Sequence, residues 1–281
     1  AVADKEGNAL VEGKDYTVEY STSDFTNVGN IEVIITGIGN YTGKVTRTYE
    51  ITPKAYTVTT ESAKKVYDGT ALTAGGRVNG LVEGETVSFK TTGSQTNAGT
   101  SDNTYELKFK GTAVETNYKH GKDSIGKLKV TKKSIVPDGP DTPDEKKTGI
   151  TVTAPEGSKY DGEEHRNKPT VEDTKTKATL KEDTDYELSY SKDVTNAGTV
   201  TVTVTGIGNY EGSFEVTYQI TKRNVTLTSA DASKTYDGKA LTNTSISVSG
   251  DGFVEGEGAE YKVTGTQTQV GNSANEFEYT L

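Results

Sequence analysis

The sequence contains no cysteine, no methionine, no tryptophan and only two histidines. Without cysteine there is no disulfide, no thiolate nucleophile and no thiolate metal site, so stability must come from packing and hydrogen bonding. The histidines, His120 and His165, stand outside every recurring motif, which leaves general acid–base catalysis little to work with. Apolar residues make up 31% of the chain, and no apolar run approaches the ~20 residues of a membrane-spanning helix. Basic residues are outnumbered 31 to 41, for a net charge of −10. Phosphate recognition needs a basic face, so a nucleic-acid partner is not expected. Membrane insertion is not expected either. No secretion signal, lipidation motif or initiator methionine is visible, and the chain reads as an internal piece of something larger.

What is present is threonine, glycine and tyrosine, the composition of half-buried strands joined by turns. The stretch from Thr26 through Asn27, Val28 and Gly29 to Gly37, Ile38, Gly39, Asn40 and Tyr41 recurs 169 residues later. The second copy runs from Thr195 through Asn196, Ala197 and Gly198 to Gly206, Ile207, Gly208, Asn209 and Tyr210. A repeat at that distance, with strand-like content between turn signals, indicates tandem modules rather than one large enzyme domain.

Two module types alternate. Residues 1–53 form a partial type A repeat and 54–133 a type B repeat. A Pro/Asp-rich linker at 134–147 precedes a type A repeat at 148–222 and a partial type B repeat at 223–281. Each module has a small core, as suits units of ~80 residues or fewer. The pattern predicts strands throughout: Val200, Val202 and Val204 alternate with threonines, and Phe214, Val216, Tyr218 and Ile220 repeat the alternation. Turn signals at short intervals suggest a β-sandwich or barrel. The expected fold class is all-β, with tandem immunoglobulin-like sandwiches in an elongated array. The A-to-B junctions have almost no spacer. The linker holds three of the six prolines and is expected to run extended at roughly 3 Å per residue.

The motifs themselves recur in order. Tyr67-Asp68-Gly69, Tyr160-Asp161-Gly162 and Tyr236-Asp237-Gly238 open modules. The turns containing Asn27 and Gly29, Asn97 and Gly99, and Asn196 and Gly198 lie mid-module. Together with Gly-Ile-Gly-Asn-Tyr-x-Gly and Tyr-x-Ile-Thr, these resemble the bacterial immunoglobulin-like surface repeats called MBG and YDG domains, found in large adhesin-type proteins. The resemblance covers nearly the whole chain except the linker. It implies a non-enzymatic stalk at a bacterial cell surface or in a secreted protein, with no catalytic residues, no cofactor and no metal. Two further readings are that the repeats bind a host glycan, mucin or protein, and that they are an accessory region of a secreted multidomain glycosidase.

Each motif has a structural reading that is favoured over a chemical one. The tyrosine of Tyr-Asp-Gly is expected in the core, with Asp-Gly making a tight turn, in preference to sugar stacking. Gly37, Gly39, Asn40 and Tyr41, like Gly206, Gly208, Asn209 and Tyr210, have the wrong spacing for a dinucleotide fingerprint and no helix behind them. They are expected to form a β-turn with glycine at positive φ. Asp138, Asp141, Asp144 and Glu145 invite a Ca²⁺ reading, but lack a spaced ligand loop and are expected to be solvated. A Lys–Asn or Lys–Asp amide crosslink, by analogy with exported sandwiches, needs a buried acid that sequence does not place. The chain is expected to be monomeric, with the incomplete end modules less ordered or paired through their open sheet edges.

Overall fold

Alternating β-branched and polar residues give strands along the whole chain, and the computed structural model, which describes residues 1–281, is all-β apart from two single 3₁₀ turns. The residues divide into two units, Ala1–Thr131 and Lys132–Leu281.

The second unit holds the complete type A repeat. Gly198–Gly206 pairs antiparallel with Ser213–Thr221 on one side and Tyr186–Tyr190 on the other, and Ser158–Lys159 adds parallel to Ser213–Thr221. The period of two then decides burial: Val200, Val202 and Val204 are 1%, 0% and 0% exposed, while the threonines between them face outward. Val194, Tyr218 and Ile220 close this core, with Tyr160, Leu188, Tyr190 and Val216 packed against it. A second sheet sets Thr170–Asp173 between Ile150–Thr153 and Ala178–Thr179.

The start of the linker does not run free. Lys133–Ser134 pairs parallel with Tyr210–Glu211, the Ile135 amide donates to the Glu211 carbonyl at 2.9 Å, and Ile135 is 0% exposed. The Asp138 carboxylate accepts from the Thr148 and Gly149 amides at 2.7 Å each. Extended chain is therefore confined to a shorter stretch than the proline content suggests. The residues ahead of Pro137 include the β-branched Ile135 and Val136, and the strand at Tyr210–Glu211 receives them.

The first unit holds the complete type B repeat. Lys54–Thr60 lies between Tyr118–His120, parallel, and Gly76–Asn79, antiparallel. Lys127–Thr131 lies between Ala63–Val66, parallel, and Gly99–Asp102, antiparallel. Ser88–Thr91 and Tyr105–Lys108 form a separate antiparallel pair. Val58, Leu128 and Val130 are 0%, 0% and 2% exposed and form the core.

The end copies keep only some of their strands: in the closing type B copy the segments matching Ala63–Val66 and Gly99–Asp102 are not strands. In the opening type A copy, Tyr49 is 44% exposed where its counterpart Tyr218 is 4% exposed.

Candidate interaction surface at the module seams

The Tyr-Asp-Gly motifs are turn formers. Asp68 Oδ1 accepts from the Thr70 amide at 2.9 Å and from Lys65 Nζ at 2.6 Å, and Gly69 has φ +78°. These bonds, Lys65 first, hold the Asp68 carboxyl down at about 2. Asp161 accepts from the Glu163 amide and sits 2.8 Å from His165 Nε2, with Gly162 at φ +87°. Asp237 pairs with Lys234 at 2.8 Å, and Gly238 has φ +75°. The tyrosines differ. Tyr160 packs on the type A core and Tyr67 is half-buried, whereas Tyr236 is 59% exposed. The expectation of a core tyrosine fails at Tyr236, which no strand covers here.

The mid-module turns are held by an acid that the motif comparison missed. Asp24 Oδ2 accepts from Asn27 Nδ2 at 2.6 Å and its Oδ1 from the Thr26 and Asn27 amides. Asp193 makes the same bonds to Thr195 and Asn196. Both carboxyls are held below the usual range, Asp24 chiefly by the Asn27 side chain and Asp193 by the Asn196 amide. The recurrence of aspartate three residues before the asparagine was the available signal. Gly29 and Gly198 start strands with ordinary φ; in the type B copy, Gly99 sits at φ +151° and Asn97 offers its carbonyl to Gln95 Nε2 at 2.7 Å.

The Gly-Ile-Gly-Asn-Tyr loops are turns with no helix behind them. Gly39 and Gly208 have φ +63° and +59°, and the Tyr41 and Tyr210 amides donate back to the Ile38 and Ile207 carbonyls at 3.1 and 2.9 Å. Gly37 and Gly206 sit against the returning chain, each with a virtual Cβ about 3 Å from it (3.0 and 2.9 Å). Asn40 and Asn209 occupy the turn, and the Asn209 carbonyl receives the Lys133 amide at 3.0 Å. A Cβ on Gly208 would stand 2.7 Å from the Thr184 carbonyl oxygen, while one on Gly198 would meet nothing within 4 Å. Gly208→Ala is therefore expected to destabilise the second unit by about 1–2 kcal/mol, with Gly198→Ala close to neutral. Urea unfolding of both variants, read by circular dichroism, checks this; equal midpoints would contradict it.

Each unit contains one A-to-B seam. In the first unit, Asn117 Oδ1 accepts from the Val28 amide at 2.8 Å and Asn117 Nδ2 donates to Asn27 Oδ1 at 2.7 Å. In the second unit, Arg223 donates through Nε to the Gly252 carbonyl at 2.8 Å, through Nη1 to the Tyr160 carbonyl at 3.3 Å, and through Nη2 to the Asp251 carbonyl. Asp251 pairs with Lys159 at 2.7 Å and accepts from the Asn224 amide at 2.8 Å, and these two contacts hold its carboxyl low. The Tyr160 hydroxyl donates to Glu257, which pushes the phenol upward and keeps it a donor. Guanidinium against backbone carbonyls is a directional clasp that fixes one module's turn on the next.

A cavity of about 260 Å³ opens at this seam, lined by Tyr160, Asn196, Ala197, Arg223, Phe253 and Glu257 among others. That is slightly below the ~300–1,000 Å³ of ordinary ligand pockets. Its polar groups are largely engaged in the clasp.

The remaining polar clusters hold structure. Asp123 accepts from the Tyr105 hydroxyl at 2.6 Å and the Val58 amide at 2.7 Å, with His120 Nε2 at 2.9 Å. The Asp123 bond, ahead of burial, pushes the Tyr105 phenol up to about 12, so it stays protonated and serves as a donor. Lys133 Nζ lies 2.6 Å from Asp173 Oδ2, and both side chains are buried. The Tyr210 hydroxyl donates to the same oxygen at 3.1 Å, and the Lys175 and Thr176 amides donate to Oδ1. Burial raises the Asp173 carboxyl, but these donors outweigh it and hold it below the ordinary aspartate value. The carboxylate is fully engaged as an ion. Lys133 and Asp173 stand as a buried salt bridge. Of the linker acids, Asp138 is bound to its own loop, while Asp144 pairs with Lys147 at 2.6 Å and stays 92% exposed to solvent, as expected. No group of three or more acids and histidines is placed to hold a metal ion, and no helix is long and apolar enough to cross a membrane.

No protein-family model matches the chain, and no curated protein matches it. Among solved structures, the chain is similar to protocadherin gamma B7 extracellular cadherin domains 1–4. The identity is 8% over 91% of this chain and 74% of that chain, with a TM-score of 0.24. It is also similar to the protocadherin gammaB7 EC3–6 cis-dimer structure, 9% identical over 90% of this chain and 81% of that one, with a TM-score of 0.23. At these scores neither likeness carries an argument about function.

Proposed function

We propose that this chain is a non-enzymatic run of tandem immunoglobulin-like β-sandwich repeats acting as a spacer in a bacterial cell-surface or secreted adhesin-type protein. The observation that carries this reading is the pair of seams. Side chains at both A-to-B seams join one module to the next: Asn117 with Asn27 in one unit, Arg223, Lys159 and Asp251 in the other. A spacer needs fixed joints, and charge-assisted hydrogen bonds to backbone carbonyls supply them. The reading of the motifs as turns agrees, since turn residues repeat and reactive groups do not.

A second reading, that the repeats grip a host glycan, draws on the aromatic and amide groups around the seam cavity and on the exposed pair Tyr20 and Phe25, whose rings stand edge to face at 5.2 Å. Aromatic faces beside amide and carboxylate groups suit sugar rings. The 281-residue chain presented to glycan arrays and to host-cell surfaces separates the two. The spacer reading expects no saturable binding. Specific binding that weakens at least tenfold on Tyr20→Ala or Phe253→Ala would overturn it.

A further inference from the structure

The whole-chain charge of −10 hides two modules of opposite sign. Residues 54–133, the complete type B repeat, hold 13 lysines and arginines against 8 aspartates and glutamates, a balance of +5. Residues 148–222, the complete type A repeat, hold 8 against 13, a balance of −5.

In the type B repeat the period of two gathers lysines on one face. Along Lys127–Thr131, Leu128 and Val130 are buried while Lys127 and Lys129 are exposed. Along the neighbouring Ala63–Val66, the exposed positions are Lys64 and Val66. The register sets Lys129 between Lys64 on one side and Thr100 on the other, and Lys127 beside Asp102. Adjacent strands lie ~4.8 Å apart, so Lys64 and Lys129 are like charges held side by side. Lys65 is engaged by Asp68 and Lys127 by Asp102, but Lys64 and Lys129 have no carboxylate partner. Facing like charges cost stability in a sheet, and an opposing set of acids turns that cost into attraction.

The outer face of the type A sheet has the complementary character. Tyr186–Tyr190, Gly198–Gly206 and Ser213–Thr221 contain no basic residue, and their outward positions are threonine, serine, glutamine and two glutamates. Glu187 lies in register with Thr205 and Glu215 with Thr203, so the two acids flank one strand. Both are exposed, and neither forms an ion pair. The matching face of the opening copy is less suited, since Lys44 stands on it opposite Thr36.

We propose that the face of the type B repeat carrying Lys64 and Lys129 docks on the face carrying Glu187 and Glu215 in the type A repeat of a second copy of this chain. A nucleic acid suits the lysine face poorly, because no aromatic residue stands on it to receive bases. The net charge of each chain does not forbid the contact: with a Debye length of ~10 Å at ~0.1 M salt, distant charges are screened and facing ones are not. The two faces differ, so the contact is heterologous, and each chain can give one face and receive the other. Exposed ion pairs are individually weak, which makes the association reversible and sensitive to salt. The inference goes beyond the spacer reading and does not depend on it.

Sedimentation velocity of the 281-residue chain at ~0.1 M and ~1 M NaCl tests the proposal. The expected result is association that grows with protein concentration at the lower salt, and a monomer of 30.0 kDa at the higher. Lys64→Glu with Lys129→Glu, and separately Glu187→Lys with Glu215→Lys, should each weaken association by about tenfold or more. All four positions are exposed, and an unchanged circular dichroism spectrum shows that each variant is folded. An equimolar mixture of the two variants should associate again, because each then meets the charge it lacks. A chain that stays monomeric at the lower salt, association indifferent to salt, or a mixture no better than its components would overturn the proposal. So would a monomer whose Lys64 and Lys129 bind a sulfated polysaccharide, which would give the face a saccharide partner instead.

Discussion

Replacing Lys133 by methionine is expected to destabilise the second unit by about 3–5 kcal/mol, the cost of stranding a buried carboxylate. Asp173 is 0% exposed, and its only cationic partner within reach is Lys133 at 2.6 Å. The Tyr210 hydroxyl and two amides would remain, but neutral donors do not offset a full charge taken out of water. Exchange protection of the Val200, Val202 and Val204 amides should therefore fall by roughly a hundred- to several-thousand-fold. The opening copy supplies the control. Its equivalent acid, Asp4, is bonded only within its own loop, to Asn8 and Glu6, so Asp4→Ala should leave the second unit untouched.

The pH dependence has a defined sign. The folded-state value of Asp173 lies below its unfolded value, ordinarily about 3.9. Its contribution is thus fully present above that value and is lost as pH falls through the folded one. In Lys133→Met the carboxyl is pushed upward instead, so the stability gap between wild type and variant should be widest near neutrality and narrow below about pH 4. A double variant, Lys133→Met with Asp173→Leu, should recover much of the loss, because an apolar pair of similar volume replaces the ions. If Lys133→Met alone unfolds no more easily than wild type at neutral pH, the buried pair is not what ties the linker to the type A module.

Asn103→Ala should cost the first unit about 3 kcal/mol. The side chain is 0% exposed, and its amide nitrogen reaches the Glu61, Ala74 and Gly75 carbonyls at 3.0, 3.2 and 3.0 Å. Removing the donor takes a bond from three part-buried carbonyls, at about 1 kcal/mol each, while the Gly75 carbonyl keeps the Glu61 amide. Oδ1 of Asn103 has no partner, so the residue is held for its donor end. Asn103→Asp, of the same shape but without that donor, should therefore be at least as damaging as alanine. Asn275→Ala in the half-buried second copy removes two such bonds where water has access, and should cost about 1 kcal/mol. Chemical denaturation with exchange readout on the Lys127–Thr131 amides measures the first effect. A stable Asn103→Asp would show that packing, not the amide donor, keeps asparagine there.

The strands were readable from sequence because their signal is local. Val200, Val202 and Val204 alternate with threonine, and a period of two in β-branched residues admits one face and one ladder. Glycine at Gly39 and Gly208 was readable for the same reason: a tight return to tyrosine needs positive φ, which only glycine adopts cheaply. The role of Asp24 and Asp193 was also present as a spacing, aspartate three residues ahead of asparagine. It lay outside the copied block and carried no hydrophobic pattern to mark it.

The linker was misread because proline content speaks only to backbone stiffness. Whether Ile135 is buried depends on the strand at Tyr210–Glu211, some 75 residues away in sequence. The buried Lys133–Asp173 pair is non-local in the same way, and no composition rule locates it among 31 basic and 41 acidic residues. The fate of the tyrosines followed neighbours rather than motif. Tyr67 is half-buried and Tyr236 exposed although both precede Asp-Gly, since a strand is completed only by the strand beside it. Local chemistry, then, determined by itself that this chain would be strands, turns and repeats. Only the tertiary structure decided which copies are closed, which carboxylate is buried, and where an edge stands open, because those depend on cross-strand partners that sequence order does not name.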